Sequence, residues 1–202
     1  MKLVSTVKLQ KAKSRAENSL PYFKHMYQAV SHMLRKTGEL SHPLLSPGDS
    51  KKKAVIVITS NRGLAGGYNM NVVKLITGSS LAKDDVIIYA IGRKGKEALN
   101  RRGYRIHKDY SEVMNGPMYK DAMEIGQDVL EAFKSNEVGE IYLAYTEFKN
   151  TVTHIPTMIQ LLPVDITNQQ EENSERETSY ERLTQMNYEP ETDEALNLII
   201  PK

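Results

Sequence analysis

Ala54-Val-Ile-Val-Ile-Thr-Ser-Asn-Arg-Gly-Leu-Ala-Gly-Gly-Tyr-Asn69 decides the fold. Its first six residues are apolar up to Thr59 and mostly β-branched, the composition of a short strand buried on both faces of a parallel sheet. Glycines at 63, 66 and 67 then supply a turn, and a helix is expected from about 69 to 77. Strand, glycine-rich turn and helix is also the layout that binds phosphate, because helix N-terminal amides and their dipole favour anions. The turn is not G-x-G-x-x-G and lacks the G-K-[ST] ending of a P-loop, so neither nucleotide fingerprint is met. The plainer reading is a tight turn in which glycines provide positive φ and a close approach of strand to helix.

Downstream the same alternation repeats. Residues 86–91 form a second apolar strand, 92–102 a basic helix closed by Gly103, and 104–107 a third strand. Residues 118–135 are amphipathic, with Ala122, Ile125, Val129, Ala132 and Phe133 on one side. Two longer strands follow at 140–148 and 154–162, joined by a short connection that makes them antiparallel neighbours. The expected class is α/β: a Rossmann-like, mixed but largely parallel sheet flanked by helices. A further extended piece is expected near 182–188, and a helix after Pro190.

Upstream, the first 37 residues read as one helix. Leu20, Phe23, Tyr27, Val30 and Leu34 follow a 3-4-3-4 spacing, a narrow stripe closer to a coiled-coil seam than to a globular face. Pro21 falls inside it and is expected to kink the helix or locally free a carbonyl. Gly38 and Pro43 mark its stop. The long N-terminal coiled-coil helix should therefore protrude from the α/β part, giving a helix and linker over 1–50, a globular domain over 51–190 and a helical start over 191–202.

The 27 basic and 25 acidic residues leave a net charge of +2, which conceals a polarity. Lys2, Lys8, Lys11, Lys13 and Arg15 meet no acidic residue before Glu17, whereas nine carboxylates crowd residues 171–194 beside Arg176 and Arg182. Cysteine is absent, which removes disulfides, thiolate catalysis and Cys-based metal sites. No apolar run approaches the ~18 residues of a membrane span. His25 and His32 share a helix face but have no third ligand in register, and Ser60 lacks a G-x-S-x-G elbow, so neither a metal nor a catalytic set is readable. Lys8, Lys11 and Arg15 run roughly along one helix face, without the interleaved aromatics of a nucleic-acid reader, and suit an acidic protein partner. The residues by themselves favour an interaction protein over an enzyme. The competing reading is a Rossmann-like enzyme domain that binds a nucleotide with the Gly63–Gly67 turn.

Ile58-Thr-Ser-Asn-Arg-Gly-Leu-Ala-Gly-Gly-Tyr-Asn69 resembles the signature of the F-type ATP synthase gamma family, the central rotor shaft. So do Ile91-Gly-Arg-Lys-Gly95, Tyr145-Thr-Glu-Phe-Lys-Asn-Thr151, Ile155-Pro-Thr157 and Gln160-Leu-Leu-Pro163. Tyr188-Glu-Pro190, Ala195-Leu196 and Ile200-Pro-Lys202 resemble the lead-in to that family's C-terminal helix, and Met1-Lys-Leu-Val4 through Ala12 the middle of its first helix. Ala65 stands where many relatives have Cys. By this resemblance the sequence reads as a fragment lacking the opening turns and the C-terminal shaft helix.

The resemblance implies a mechanical, non-catalytic subunit with no cofactor or metal. Its partners would be the alpha and beta subunits of the catalytic ring, the epsilon subunit and the ring of c subunits, with no nucleic acid and no direct membrane insertion. It would sit peripherally on the cytoplasmic face of a bacterial membrane, with ATP chemistry on the beta subunits. The subunit-interface residues it suggests are Met1, Lys2, Lys8, Lys11, Arg15, Arg62, Gly63, Leu64, Gly66, Gly67 and Asn69. The seam Leu20, Phe23, Tyr27, Val30 and Leu34 would pack on the second shaft helix.

Overall fold

The computed structural model describes residues 2–36, 43–150 and 153–164. The chain divides into two units, residues 1–40 with 166–202, and residues 41–165. In the first, α1 (Lys2–Lys36) is one helix of 35 residues that continues through Pro21 without a break in its helical assignment. Pro21 cannot donate a backbone hydrogen bond to the turn before it, and just there the Ser19 hydroxyl donates to the Ala16 carbonyl at 3.1 Å. Lys13 and Glu17 pair one turn apart at 3.6 Å. Leu20 and Phe23 of the expected seam are exposed, as are Lys8, Lys11 and Arg15. Met1 and the side chains of Lys2, Tyr27, Val30 and Leu34 lie outside the described residues. So do the expected extended piece and helix beyond residue 164.

The second unit holds the sheet. Five strands, β1 (Lys53–Ile58), β2 (Val86–Ile91), β3 (Arg105–Asp109), β4 (Glu140–Phe148) and β5 (His154–Leu162), lie in the order β3-β2-β1-β4-β5. The first four are parallel and β5 runs antiparallel to β4, the mixed arrangement the sequence suggests. Helices α2 (Tyr68–Thr77), α3 (Arg93–Asn100) and α4 (Tyr119–Lys134) supply the crossovers.

Register and alternation determine which side chains each helix covers. Val55 lies opposite Ile88 and Tyr142, and Val57 opposite Ala90 and Ala144, so these side chains share one face. There they pack with Val72, Val73 and Ile76 of α2 and Ala98 and Leu99 of α3 in one core cluster. Burying a side chain of this size contributes about 1.5–3 kcal/mol. The alternate residues Ile56, Ile87 and Tyr89, also buried, belong to the opposite face. The chain steps outward from β1 to β2 to β3 and then returns past β1 to β4. With right-handed crossovers this reversal puts α4 on the face opposite α2 and α3. Ile125, Val129, Ala132 and Phe133 of α4 are buried, while Ala122, expected with them, is exposed in the first turn.

The reversal creates a switch point between β1 and β4 at the carboxyl ends of the strands, the place where open α/β sheets usually host ligands. The glycine-rich turn begins there.

Candidate interaction site at the end of the first strand

Thr59, the residue after β1, is fully buried and polar. Its amide donates to Ile91 O at 2.7 Å, its hydroxyl donates to Gly92 O at 3.1 Å, and the same oxygen accepts the Gly95 amide at 2.9 Å. The end of β1 is thus fastened to the end of β2 and to the first turn of α3. The fit requires glycine: a β-carbon at Gly92 would stand 2.0 Å from the Thr59 carbonyl oxygen, and Gly92 also has φ of 114°.

Ser60 and Asn61 extend the network. The Ser60 amide donates to Asn69 Oδ1 at 2.8 Å, its hydroxyl donates to Arg62 O at 2.6 Å, and Asn69 Nδ2 donates to the Ser60 hydroxyl at 2.9 Å. Asn69 is buried, so α2 closes the base of the turn with its own amide side chain. Asn61 Nδ2 donates to Ser111 O at 2.8 Å, while Asn61 Oδ1 accepts the Arg93 amide at 2.9 Å. The Lys94 amide donates to Ser60 O at 3.0 Å.

This wiring bears on phosphate binding. The Ser60 amide is taken by Asn69 and the Tyr68 amide by Ala65 O at 3.2 Å, so two donors that an anion at this turn would need are already used. Asn71 Nδ2 would stand 2.9 Å from a β-carbon on Gly67, crowding the same mouth. The geometry describes a braced loop rather than an open cradle.

What the bracing holds up is exposed. Arg62, Gly63, Leu64, Ala65, Gly66 and Gly67 are all exposed, and Leu64 completely so. Leu64 also has φ of 60°, a left-handed conformation that costs a residue with a β-carbon about 1–2 kcal/mol. A large apolar side chain that is strained and fully solvated adds nothing to the stability of its own fold. Among the described residues no ion pair engages Arg62. Gly66, at φ 56°, has open space where a side chain would be, so its glycine answers to backbone conformation alone.

Surrounding charges are mostly paired. Lys94 bonds Glu97 at 3.1 Å and lowers its carboxyl below the ordinary value. Arg93 lies 3.7 Å from Glu112. Lys96 bonds Asp109 at 2.7 Å. Burial pushes the Asp109 carboxyl up, but Lys96 and the Ser111 hydroxyl and amide outweigh it, leaving the group below its usual range.

Of the residues singled out from sequence, the structure gathers Arg62, Gly63, Leu64, Gly66, Gly67 and Asn69 into this one loop and splits them by role. Asn69 is a buried brace, whereas Arg62 and Leu64 are presented outward. Lys8, Lys11 and Arg15 belong to the other unit. The bracing residues Thr59 and Asn61 were not singled out. A polar residue ending an apolar strand was the available signal, but its partners lie more than thirty residues away.

Comparison with known proteins fits this picture. A model of the ATP synthase family matches residues 1–202. The chain is 68% identical to an ATP synthase gamma chain of Lachnoclostridium phytofermentans over all of its length and 69% of the relative's. It is 40% identical to that of Alkaliphilus metalliredigens with the same coverage. A sodium ion specific ATP synthase gamma chain of Acetobacterium woodii is 34% identical, with 70% of its length covered. The solved central stalk and c-ring of the Tetrahymena thermophila mitochondrial ATP synthase contains a chain of the same fold. It matches with a TM-score of 0.63 at 20% identity, covering all of this chain and 84% of that one. No helix among the described residues is long and apolar enough to cross a membrane. A mixed sheet built on an apolar first strand, a braced loop that displays rather than encloses, and identity running the full length lead to one conclusion: the chain belongs to the ATP synthase gamma-chain family.

Proposed function

We propose that this chain couples ion-driven rotation to conformational change at catalytic sites on the beta subunits, and that its part is mechanical. The observation that carries this reading is the turn 61–67, rigidly braced from below by Thr59, Ser60 and Asn69 yet presenting Arg62 and a strained, fully exposed Leu64. A loop that meets a moving neighbour needs a stiff base and an outward contact surface. Leu64 and Arg62 suit a partner that offers an apolar site flanked by a carboxylate, which the planar fork of arginine grips in two places.

In the same reading Lys8, Lys11 and Arg15 of α1 face acidic loops of the beta subunits. Exposed ion pairs are worth only about 0–1 kcal/mol each, so many of them guide rotation without trapping one angle. Leu20, Phe23, Tyr27, Val30 and Leu34 form the seam for a second shaft helix, which makes α1 half of a coiled coil. In this reading the chain works alongside the alpha and epsilon subunits and the c ring, peripherally on the cytoplasmic face of the membrane.

The test is Arg62→Ala in the assembled enzyme. Weakened assembly or reduced torque is expected. Unchanged subunit binding and unchanged torque would show that the turn is not a contact.

A further inference from the structure

Between β3 and α4 a single 3-10 segment, Ser111–Asn115, is held firmly at its front and loosely at its rear. At the front, the Tyr110 amide donates to Ala90 O at 2.8 Å, the Ser111 amide donates to Asp109 Oδ1 at 2.9 Å, and Ser111 O accepts from Asn61. At the rear, Asn115 and Gly116 are exposed. Their restraints are the Gly116 amide on Val113 O at 3.2 Å and Asn115 Nδ2 on Glu112 Oε2 at 2.8 Å. Gly116 has nothing within 4 Å of where a side chain would be. Asn115 is also the sole asparagine of the chain that precedes a glycine.

We infer that Asn115–Gly116 is a self-modification site, at which the asparagine converts spontaneously to a mixture of aspartate and isoaspartate. The Gly116 amide nitrogen loses its proton to solvent base and attacks Asn115 Cγ. A C–N bond forms, the Cγ–Nδ2 bond breaks, and ammonia leaves. Water then opens the five-membered imide at either carbonyl, giving aspartate or its isomer with the main chain running through the former side chain. No oxidant, reductant or enzyme enters the balance.

The helical backbone of Asn115 holds the nucleophile away from Cγ, so the reaction runs through an opened rear half of the 3-10 segment. Opening breaks two solvent-exposed bonds and uncovers no core, which places it at the low end of local unfolding costs. Glycine at 116 is the second requirement. Without a β-carbon its nitrogen is unshielded and its backbone reaches conformations closed to other residues. The product alters the local charge pattern, because a carboxylate at 115 would face Glu112, now its hydrogen-bond acceptor and the partner of Arg93 at 3.7 Å.

Incubation of the folded chain at neutral and mildly alkaline pH, followed by peptide mass spectrometry and isoaspartyl methyl-transfer labelling, tests the assignment. Conversion is expected at Asn115 ahead of Asn61, Asn100 and Asn136, faster as pH rises. Gly116→Ala is a clean control: its φ of −173° is extended backbone open to any residue, and the added carbon meets empty space. It is expected to slow conversion about tenfold by shielding the nitrogen. Conversion at the other asparagines while Asn115 stays intact would overturn the proposal. So would equal rates in the wild type and Gly116→Ala, or conversion of Asn115 only after denaturant has unfolded the chain.

Discussion

Gly95 sits against Thr59 so closely that a β-carbon on it would come 2.6 Å from the threonine hydroxyl oxygen, the atom that accepts the Gly95 amide at 2.9 Å. The contact joins α3 to the end of β1 and sets the height at which the turn 61–67 leaves the sheet. Thr59→Val keeps the shape and removes the hydroxyl, leaving the buried Gly95 amide without its acceptor. An unsatisfied buried donor costs about 1–3 kcal/mol, and chemical denaturation is expected to register a loss of that size. Gly95→Ala is expected to cost a comparable ~1–3 kcal/mol by overpacking.

Asn69 is the other brace. Asn69→Leu is expected to destabilise the fold by about 1–3 kcal/mol, since the Ser60 amide loses its partner. Hydrogen exchange should accelerate most over residues 60–67, because Asn69 bonds only within the turn, and in β2 only by the factor that the global loss of stability sets.

Leu64 offers a separation of stability from function. Leu64→Gly removes an exposed side chain and relieves a positive φ, so the isolated chain is expected to gain about 1 kcal/mol. If the turn is a subunit contact, the same variant assembles less well. A stabilised chain with undiminished assembly would place the contact elsewhere.

Asp128 links α4 to β3. The Lys108 ammonium and then the Tyr110 hydroxyl bond its carboxylate and outweigh partial burial, holding its folded value below the unperturbed 3.8. A depressed carboxylate stabilises the fold fully above its unfolded value and loses that contribution as pH falls through the lower folded one. Acid titration should therefore show part of the stability disappearing below about pH 4. Asp128→Asn should flatten that limb while lowering stability at neutral pH. At the other extreme, burial, then Glu137 and Asp128, push the Tyr89 hydroxyl up to about 12. Its contribution is present below the unfolded value of 10.0 and is lost as pH rises through the folded one.

For the turn itself, calorimetric titration with ATP, ADP and NAD is expected to give no binding heat. Saturable binding abolished by Gly67→Val would revive the nucleotide reading.

The strands show what periodicity can carry. Four of the five were legible because runs of apolar residues are local signals, and the antiparallel last pair followed from a short connection; β3, with Ile106 as its one apolar residue, was expected at 104–107 and lies at Arg105–Asp109. Pro21 was expected to kink α1 or locally free a carbonyl, and the helix assignment continues through it, since one lost hydrogen bond in 35 residues does not end a helix. Ala122 fitted the apolar stripe of α4 but lies in its first turn, where burial depends on what the sheet reaches.

The turn divides along the same line. Sequence alone determined that residues 61–67 would be a turn, that no nucleotide fingerprint was present, and which family the chain resembles, because these depend on residue identity and spacing. Only the tertiary structure decided that Asn69 faces inward as a brace while Leu64 is held outward in a strained conformation. Those assignments rest on hydrogen bonds from Thr59 and Asn61, just beyond β1, to Gly92, Gly95 and Ser111, partners brought together by the folding of three separate βα units.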